Sequence, residues 1–95
     1  MRKTVLDFGS TSTESLFEGV CPKTFRSFRT QAERKLQILD SATEVQDLRS
    51  PPRNRLEKLR GDRSESWSIR INNQWRICFG WRNGEALNVE IVDYH

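Results

Sequence analysis

Cysteine is scarce in this chain, with two residues among 95, and no cysteine or histidine stands at paired spacing. That argues against a disulfide framework and against a structural zinc site. Cys78 falls in the middle of an alternating segment, where a small buried thiol is the ordinary reading, and Cys21 precedes Pro22 in a loop. Histidine occurs once, as His95. No apolar run approaches the length of a membrane span. The opening Met-Arg-Lys-Thr-Val-Leu-Asp-Phe-Gly has no apolar stretch of signal-peptide length, so the expected location is cytoplasmic. Internal repeats are lacking, and the one compositional bias is the Ser/Thr-rich stretch near residues 10–15.

What is present bounds the answer. A chain of 95 residues has room for one domain with one core, spanning residues 1–95. Charged residues make up 31% and the mean hydropathy is −0.76, so the core must come from a small set of Trp, Phe, Leu and Ile. A formal charge of +3 and a pI near 9.2 favour an anionic partner without naming one.

The clearest pattern is Trp67-Ser-Ile-Arg-Ile-Asn-Asn-Gln-Trp-Arg-Ile-Cys-Phe-Gly-Trp81. Trp67, Ile69 and Ile71 alternate on one face, as do Trp75, Ile77, Phe79 and Trp81, which predicts two strands around an Asn72-Asn73 turn. Asn83-Gly84 predicts a tight hairpin turn, followed by a last strand through Leu87, Val89 and Ile91. Residues 54–59 are expected to re-enter the sheet with Leu56 and Leu59 as anchors, and Gly61-Asp62 to turn.

Towards the N-terminus, residues 2–8 predict a short strand around Val5 and Leu6. Thr11 and Glu14 have capping-box spacing before Leu16 and Phe17, with Gly19 as the stop. That makes a short, weakly anchored helix, and residues 9–20 are expected to be the most mobile part. Pro22 suits the first turn of a helix running to about Asp40, with Phe25, Phe28, Ala32, Leu36 and Leu39 as its apolar stripe. Ser41 and Glu44 repeat the capping-box spacing before Val45 and Leu48, and Pro51-Pro52 ends that piece. The predicted fold is α+β, with N-terminal helices packed on a three- or four-stranded antiparallel sheet.

Chemistry gathers in three places. Arg49, Arg53, Arg55, Lys58, Arg60 and Arg63 lie within fifteen residues, opposed only by Glu57 and Asp62. A solvated loop would account for them, and so would a phosphate-binding rim; three cations bracketing Glu57 on a predicted strand favour the rim. Aromatics suited to base stacking are not interleaved here. Alternation puts Arg76 on the face opposite Trp75, where Arg70 joins it on the neighbouring strand. Two cations on an open sheet face, with no carboxylate evident between them, invite an anion. The third place is Asp93-Tyr94-His95. A C-terminal Tyr-His can simply cover a sheet edge, but histidine titrates near neutral pH and can serve as acid or base. Cleavage of RNA at its own 2′-hydroxyl needs a base, cations for the phosphorus and an acid for the leaving 5′-oxygen.

Taken together, Leu56-x-x-Leu59-Arg60-Gly61-Asp62-Arg63, Trp67-Ser68-Ile69, Asn73-x-Trp75-Arg76-Ile77-x-Phe79 and Val92-Asp93-Tyr94-His95 resemble the HigB-type toxins of the RelE/ParE superfamily. The resemblance covers residues 32–95, includes Asp40-x-Ala42-Thr43, and is weaker before them. It implies a RelE-like toxin of a bacterial type II toxin–antitoxin system, a ribosome-dependent endoribonuclease that cuts mRNA in the A site. It implies a cognate helix-turn-helix antitoxin, the ribosome and mRNA as partners, no cofactor or metal, and a toxin monomeric when alone and hetero-oligomeric with its antitoxin. By position, Asp93, Tyr94 and His95 match the family's terminal active-site group. Arg76 matches its RNA-contacting sheet arginine, and Arg60 stands for a basic residue usually written as lysine. Arg53, Arg55, Lys58, Arg63 and Arg70 are the expected RNA-binding cations. Many members write Leu-His-Pro-Leu where this chain has Leu56-Glu57-Lys58-Leu59, so Glu57 replaces a histidine credited with acid–base work. The resemblance therefore implies a slower or altered nuclease. Base and acid are not uniquely assigned.

Two other classes compete. One is a non-catalytic toxin of the same superfamily, a gyrase inhibitor or an RNA or ribosome binder, favoured by the missing histidine. The other is a transcription factor, poorly supported because the cations lie near a proline loop and a sheet instead of on a recognition helix.

Overall fold

The computed structural model describes residues 7–59 and 66–93. Two helices, α1 (Thr11–Phe17) and α2 (Arg29–Ser41), cover one face of a four-stranded sheet made of β1 (Glu57–Lys58), β2 (Ser66–Arg70), β3 (Trp75–Arg82) and β4 (Glu85–Asp93). The strands run in sequence order with every pairing antiparallel. The expected α+β meander is therefore present, with four strands.

The apolar stripe of α2 lands where its spacing put it. Ala32, Leu36 and Leu39 are fully or almost fully buried, together with Ile69 and Ile77 of the sheet. Phe25 and Phe28 belong to the same core but sit on a 3₁₀ segment, Lys23–Phe28, that precedes α2. Pro22 stands just before that segment, extended at ψ 147°, and is not the first residue of a long α-helix. The ring of Phe28 stacks on Trp75 with centroids 5.0 Å apart, and Phe25 meets the same ring edge-on at 5.8 Å. Trp75 is thereby fixed beneath the helical layer, which decides the direction of its neighbour, Arg76.

Both predicted caps are displaced. Helix α1 is capped by Ser10, whose hydroxyl accepts from the Thr13 amide at 3.2 Å, so Thr11 is the first helical residue. The second cap belongs to a 3₁₀ segment, Val45–Arg49, where Glu44 and Asp47 form the reciprocal box expected of Ser41 and Glu44. Asp47 accepts from the Thr43 and Glu44 amides at 3.1 Å each. These bonds, Glu44's first, hold its carboxyl below the usual carboxylate range.

The β3–β4 hairpin turns on Asn83 (φ 53°) and Gly84 (φ 77°), with Arg82 paired to Glu85. This is the two-residue, positive-φ turn that Asn-Gly favours. The strict alternation predicted for β4 fails at Asn88, which also has positive φ (53°). Between the pairs Cys78–Glu90 and Gly80–Leu87 the register shifts, giving β4 one residue more than β3. Such a bulge re-phases every residue beyond it. Ala86 is accordingly buried while Leu87 is only half-buried.

The bulge receives the N-terminal segment. Phe8 bridges Val89 in parallel, the Val89 amide donates to Asp7 O at 2.8 Å, and the Gly9 amide donates to Val89 O at 2.9 Å. A Cβ on Gly9 would press on the side chains of Asn88 and Glu90, which would have to shift to admit it. The predicted first strand otherwise falls outside the described residues, as does the Gly61-Asp62 turn.

Weak anchoring of α1 is corrected by two contacts. Leu16 is fully buried, and so is Thr13, whose hydroxyl accepts from the Ile91 amide at 3.0 Å. Removing that hydroxyl leaves a buried backbone donor unmet, which costs about 1–3 kcal/mol. Thr13→Ala should lower the urea midpoint accordingly with an unchanged m-value; an unshifted midpoint would show that α1 is dispensable to the core.

Candidate functional site

With Trp75, Ile77 and Phe79 committed to the helical layer, β3 turns Arg76 and Cys78 to the other sheet face. The register pairs Arg70 with Arg76, Ser68 with Cys78, and Glu57 with Ser68. Directly paired residues share a face, so Glu57, Ser68, Arg70, Arg76 and Cys78 form one surface. Like charges directly opposite one another are unfavourable in a sheet, and Arg70 with Arg76 is such a pair.

Arg76 was expected on an open surface. Its direction is as predicted, but it is only 7% exposed, because the segment leading into β1 folds over it. Its Nε donates to Ser68 Oγ at 2.9 Å, and its Nη2 donates to Arg55 O at 2.7 Å and to Ser68 O at 3.4 Å. The surface also holds a carboxylate that the sequence did not make evident. Glu57 Oε1 lies 3.6 Å from Arg76 Nη2, with the glutamate side chain 55% exposed. At that separation the two groups are beyond hydrogen-bond reach, and the carboxylate is largely solvated. The serine and the backbone carbonyl therefore position Arg76, and Glu57 adds little.

The Arg55 carbonyl reaches Arg76 because the proline segment is tightly specified. Pro52–Asn54 form a 3₁₀ turn, and Arg55 closes it in the left-handed region at φ 45° and ψ 57°. That conformation costs a non-glycine residue about 1–2 kcal/mol. Asn54 holds the turn from beneath. It is fully buried, its amide donates to Leu48 O at 3.1 Å and to Ser50 O at 3.3 Å, and its Oδ1 accepts from the Lys35 ammonium of α2. Sequence reasoning passed over Asn54. The available signal was a lone carboxamide just after Pro51-Pro52, where a loop with few amide donors needs an internal tie.

A cleft of about 420 Å³ opens beside Arg76, lined by Arg55, Glu57, Arg70, Asn72 and Asn73. The β2–β3 turn forms its lip. Asn72 Oδ1 accepts from the Gln74 and Trp75 amides at 2.8 Å each, and Arg70 donates to Asn73 Oδ1. The arrangement presents the fixed Arg76 guanidinium, with Arg70 and Arg55 beside it, in the wall of an open concavity.

The other predicted residues are distributed unevenly. Asp93 pairs with Trp75, so the register sets it on the helical side of the sheet, away from Arg76, where it accepts from Gln74 Nε2 at 3.0 Å. Lys58 pairs with Trp67 and stands over that indole, its Nζ 5.7 Å from the ring centroid, hence also away from the cleft. Arg53 is exposed on an adjoining groove. Arg60, Arg63, Tyr94 and His95 lie outside the described residues. Among the described residues no group of three His, Cys, Asp or Glu could hold a metal ion.

Cys78 shares the Arg76 face and is half-buried. Burial pushes its thiol up from the ordinary value; Arg76 opposes this and Glu90 adds to it. Since the thiolate is the reactive form, Cys78 should alkylate with iodoacetamide more slowly than glutathione at pH 8. An equal or faster rate would mean that Arg76 dominates the thiol's surroundings.

Comparison with known proteins gives a consistent answer. Residues 21–95 match a family model described as the RelE-like toxin of the type II toxin–antitoxin system HigB. Toxin HigB-1 of Vibrio cholerae serotype O1 is 53% identical over 55 residues, covering 58% of each chain. Endoribonuclease HigB of Proteus vulgaris is 41% identical over 61 residues, covering 64% of this chain and 65% of that one. The chain thus spans less than two thirds of the length of these curated relatives. The Staphylococcus aureus YoeB dimer structure shares the fold at a TM-score of 0.61 over 99% of both chains, at 18% identity.

Proposed function

Because the chain belongs to the HigB-like family of RelE-like type II toxins, we propose that it is the toxin of a bacterial toxin–antitoxin pair, an endoribonuclease that cuts mRNA in the ribosomal A site and so stops translation and growth. A relative bears the name endoribonuclease. The observation that carries the proposal is the buried Arg76, clamped by Ser68 Oγ and Arg55 O at the base of a cleft that also holds Arg70. The proposed partners are the ribosome with its mRNA and a cognate helix-turn-helix antitoxin. The toxin alone is monomeric, acts in the cytoplasm and joins the antitoxin in a hetero-oligomer.

In this reading the 2′-oxygen attacks phosphorus, a base takes its proton, the P–O5′ bond breaks, and an acid protonates the leaving 5′-oxygen. Arg76 stabilises the charge accumulating on the phosphoryl oxygens, and fixed donors of this type are worth about 10²–10³ in rate. Arg70, paired with it, adds positive potential, as does Arg60. His95 or Tyr94 handles proton transfer, and Asp93, on the helical side of the sheet, acts by holding the end of β4 that precedes them. Glu57 lies 3.6 Å from Arg76. Arg53, Arg55, Lys58 and Arg63 complete the proposed RNA-binding set.

Primer extension on translating ribosomes tests the reaction directly. Wild type should produce codon-periodic 5′ ends, and His95→Ala should reduce them by about 10²–10⁴, the usual worth of a general acid or base. Deleting Asp93-Tyr94-His95 should abolish growth inhibition; a truncated protein of full toxicity would eliminate this mechanism. A second reading, a non-catalytic toxin acting on gyrase or merely binding RNA or the ribosome, is favoured by the Glu57–Arg76 pair and by the position of Asp93 across the sheet. DNA-damage signalling on induction, without new mRNA ends, would establish the gyrase form.

Glu57 provides a further test. Glu57→His should raise ribosomal mRNA cleavage by restoring a group that titrates near neutrality, and an unchanged or lower rate contradicts that role for position 57. Glu57→Gln separates charge from proton transfer, because it removes the carboxylate beside Arg76 but provides no base.

A further inference from the structure

A second concavity adjoins the Arg76 cleft. It measures about 680 Å³ and runs between α2, the proline loop and the β2–β3 turn. Arg34 and Lys35 line it from α2, Arg53 from the loop and Arg70 from β2, and no carboxylate is among the described residues that line it. This contrasts with the Arg76 cleft, whose wall includes Glu57. Arg70, Asn72 and Asn73 line both, so the two concavities adjoin at the β2–β3 turn with Arg70 between them.

The α2 cations are placed there by helical spacing. Gln31, Arg34, Lys35 and Ile38 recur at three- and four-residue steps and border the second concavity from one side of the helix, next to the stripe that enters the core. Lys35 cannot swing away, because its ammonium donates to the buried Asn54. Arg34 and Arg53 are exposed and face this fixed ammonium without an intervening acid. Four cations converging on a concavity from three separate elements gain little from one another in the folded protein. An anion placed among them reverses the repulsion.

We propose that this groove is a second phosphate subsite, in which Arg34, Lys35 and Arg53 grip the backbone of the single-stranded RNA that continues past Arg70 from the nucleotide held at Arg76. The inference rests on the nuclease reading for the identity of its ligand and extends it by assigning α2 a role in holding the strand. The state of Lys35 agrees with the geometry. Its ammonium is pushed below the ordinary lysine value by partial burial first, then by Arg34 and Arg53. A phosphodiester in the groove opposes the two cationic contributions and favours the protonated lysine. Phosphate contacts of this kind supply affinity without sequence preference and weaken steeply with salt.

The test is binding of a short 2′-O-methyl oligoribonucleotide, which cannot be cleaved, followed by fluorescence anisotropy across a salt series. Lys35 is left intact because its substitution would disturb Asn54. Arg34→Gln combined with Arg53→Gln removes two exposed charges from the groove. Each lost contact lowers the salt slope by about 0.7 for single strands, so the double variant should flatten it by about 1.4 and bind roughly 20-fold more weakly at 0.1 M salt. Lys23→Gln with Arg26→Gln removes the same charge from exposed positions outside the groove and should leave the slope unchanged. Urea midpoints matching wild type confirm that both double variants are folded. Equal slopes in the two double variants, or no measurable binding by wild type, would overturn the subsite. A groove-dependent slope upholds it even where ribosomal cleavage fails, so the two readings fall separately.

Discussion

A guanidinium removed from water must be met by acceptors, or the penalty amounts to several kcal/mol. Arg76 is such a group, and the surrounding chain is arranged around the need to satisfy it. Ser68 contributes a hydroxyl from the adjacent strand, and the Arg55 carbonyl arrives from above. That carbonyl is in place because Arg55 adopts a left-handed conformation and because Asn54 ties the preceding turn to Leu48, Ser50 and Lys35. None of this improves the apolar core. The stability that tolerates a strained residue, a buried cation and the facing Arg70 comes from the opposite side of the sheet, where Ile69, Ile77, Leu36 and Leu39 are fully or almost fully buried. The two faces of one sheet thus divide the labour, one closing the fold and the other holding a charge in a fixed position.

What was legible in the sequence follows from that division. Period-two alternation in β2 and β3 and the three-to-four spacing of α2 are local consequences of burying one face, so Ile69, Ile77, Ala32, Leu36 and Leu39 could all be assigned correctly. The Asn83-Gly84 turn was equally local. The failures share a different character. Ser10 outcompeted Thr11 as a cap, and Glu44 with Asp47 replaced Ser41 with Glu44, because neighbouring residues of similar capping ability differ only in how the chain approaches. The bulge at Asn88 depends on a segment about eighty residues away, since Asp7 and Gly9 dock on Val89. No window of sequence contains that information.

The site was legible in outline for the same reason. Alternation put Arg70 and Arg76 together, and the register confirms that they face one another. Their surroundings were not legible. Burial of Arg76 and the approach of Glu57 both require the proline loop to fold back across β2, which is decided by Asn54 and α2. Alternation, carried to the end of β4, also has a consequence for the terminal group. The pairing of Asp93 with Trp75 sets that carboxylate on the helical side, so Asp93 and Arg76 cannot be treated as one cluster on the basis of sequence proximity to a shared sheet end.

The strengths of the contacts around Arg76 suggest how a cleft that is already satisfied can still accept a phosphate. Ser68 and Arg55 hold the guanidinium from within the fold, and neither needs to move when an anion enters. Glu57 is different: at 3.6 Å and 55% exposed it is beyond hydrogen-bond reach and partly solvated. A phosphodiester offers an arginine charge-assisted bonds of roughly twice the strength of neutral ones, so exchanging Glu57 for such a ligand favours the ligand. The carboxylate then lies displaced but adjacent, on the rim of the occupied cleft, where its charge opposes the anion that replaced it. A neutral imidazole at the same position would carry no such repulsion. In the proposed nuclease, position 57 would therefore bear on binding as well as on proton transfer, and the two effects of its glutamate would have opposite signs only if the carboxylate also served as the base.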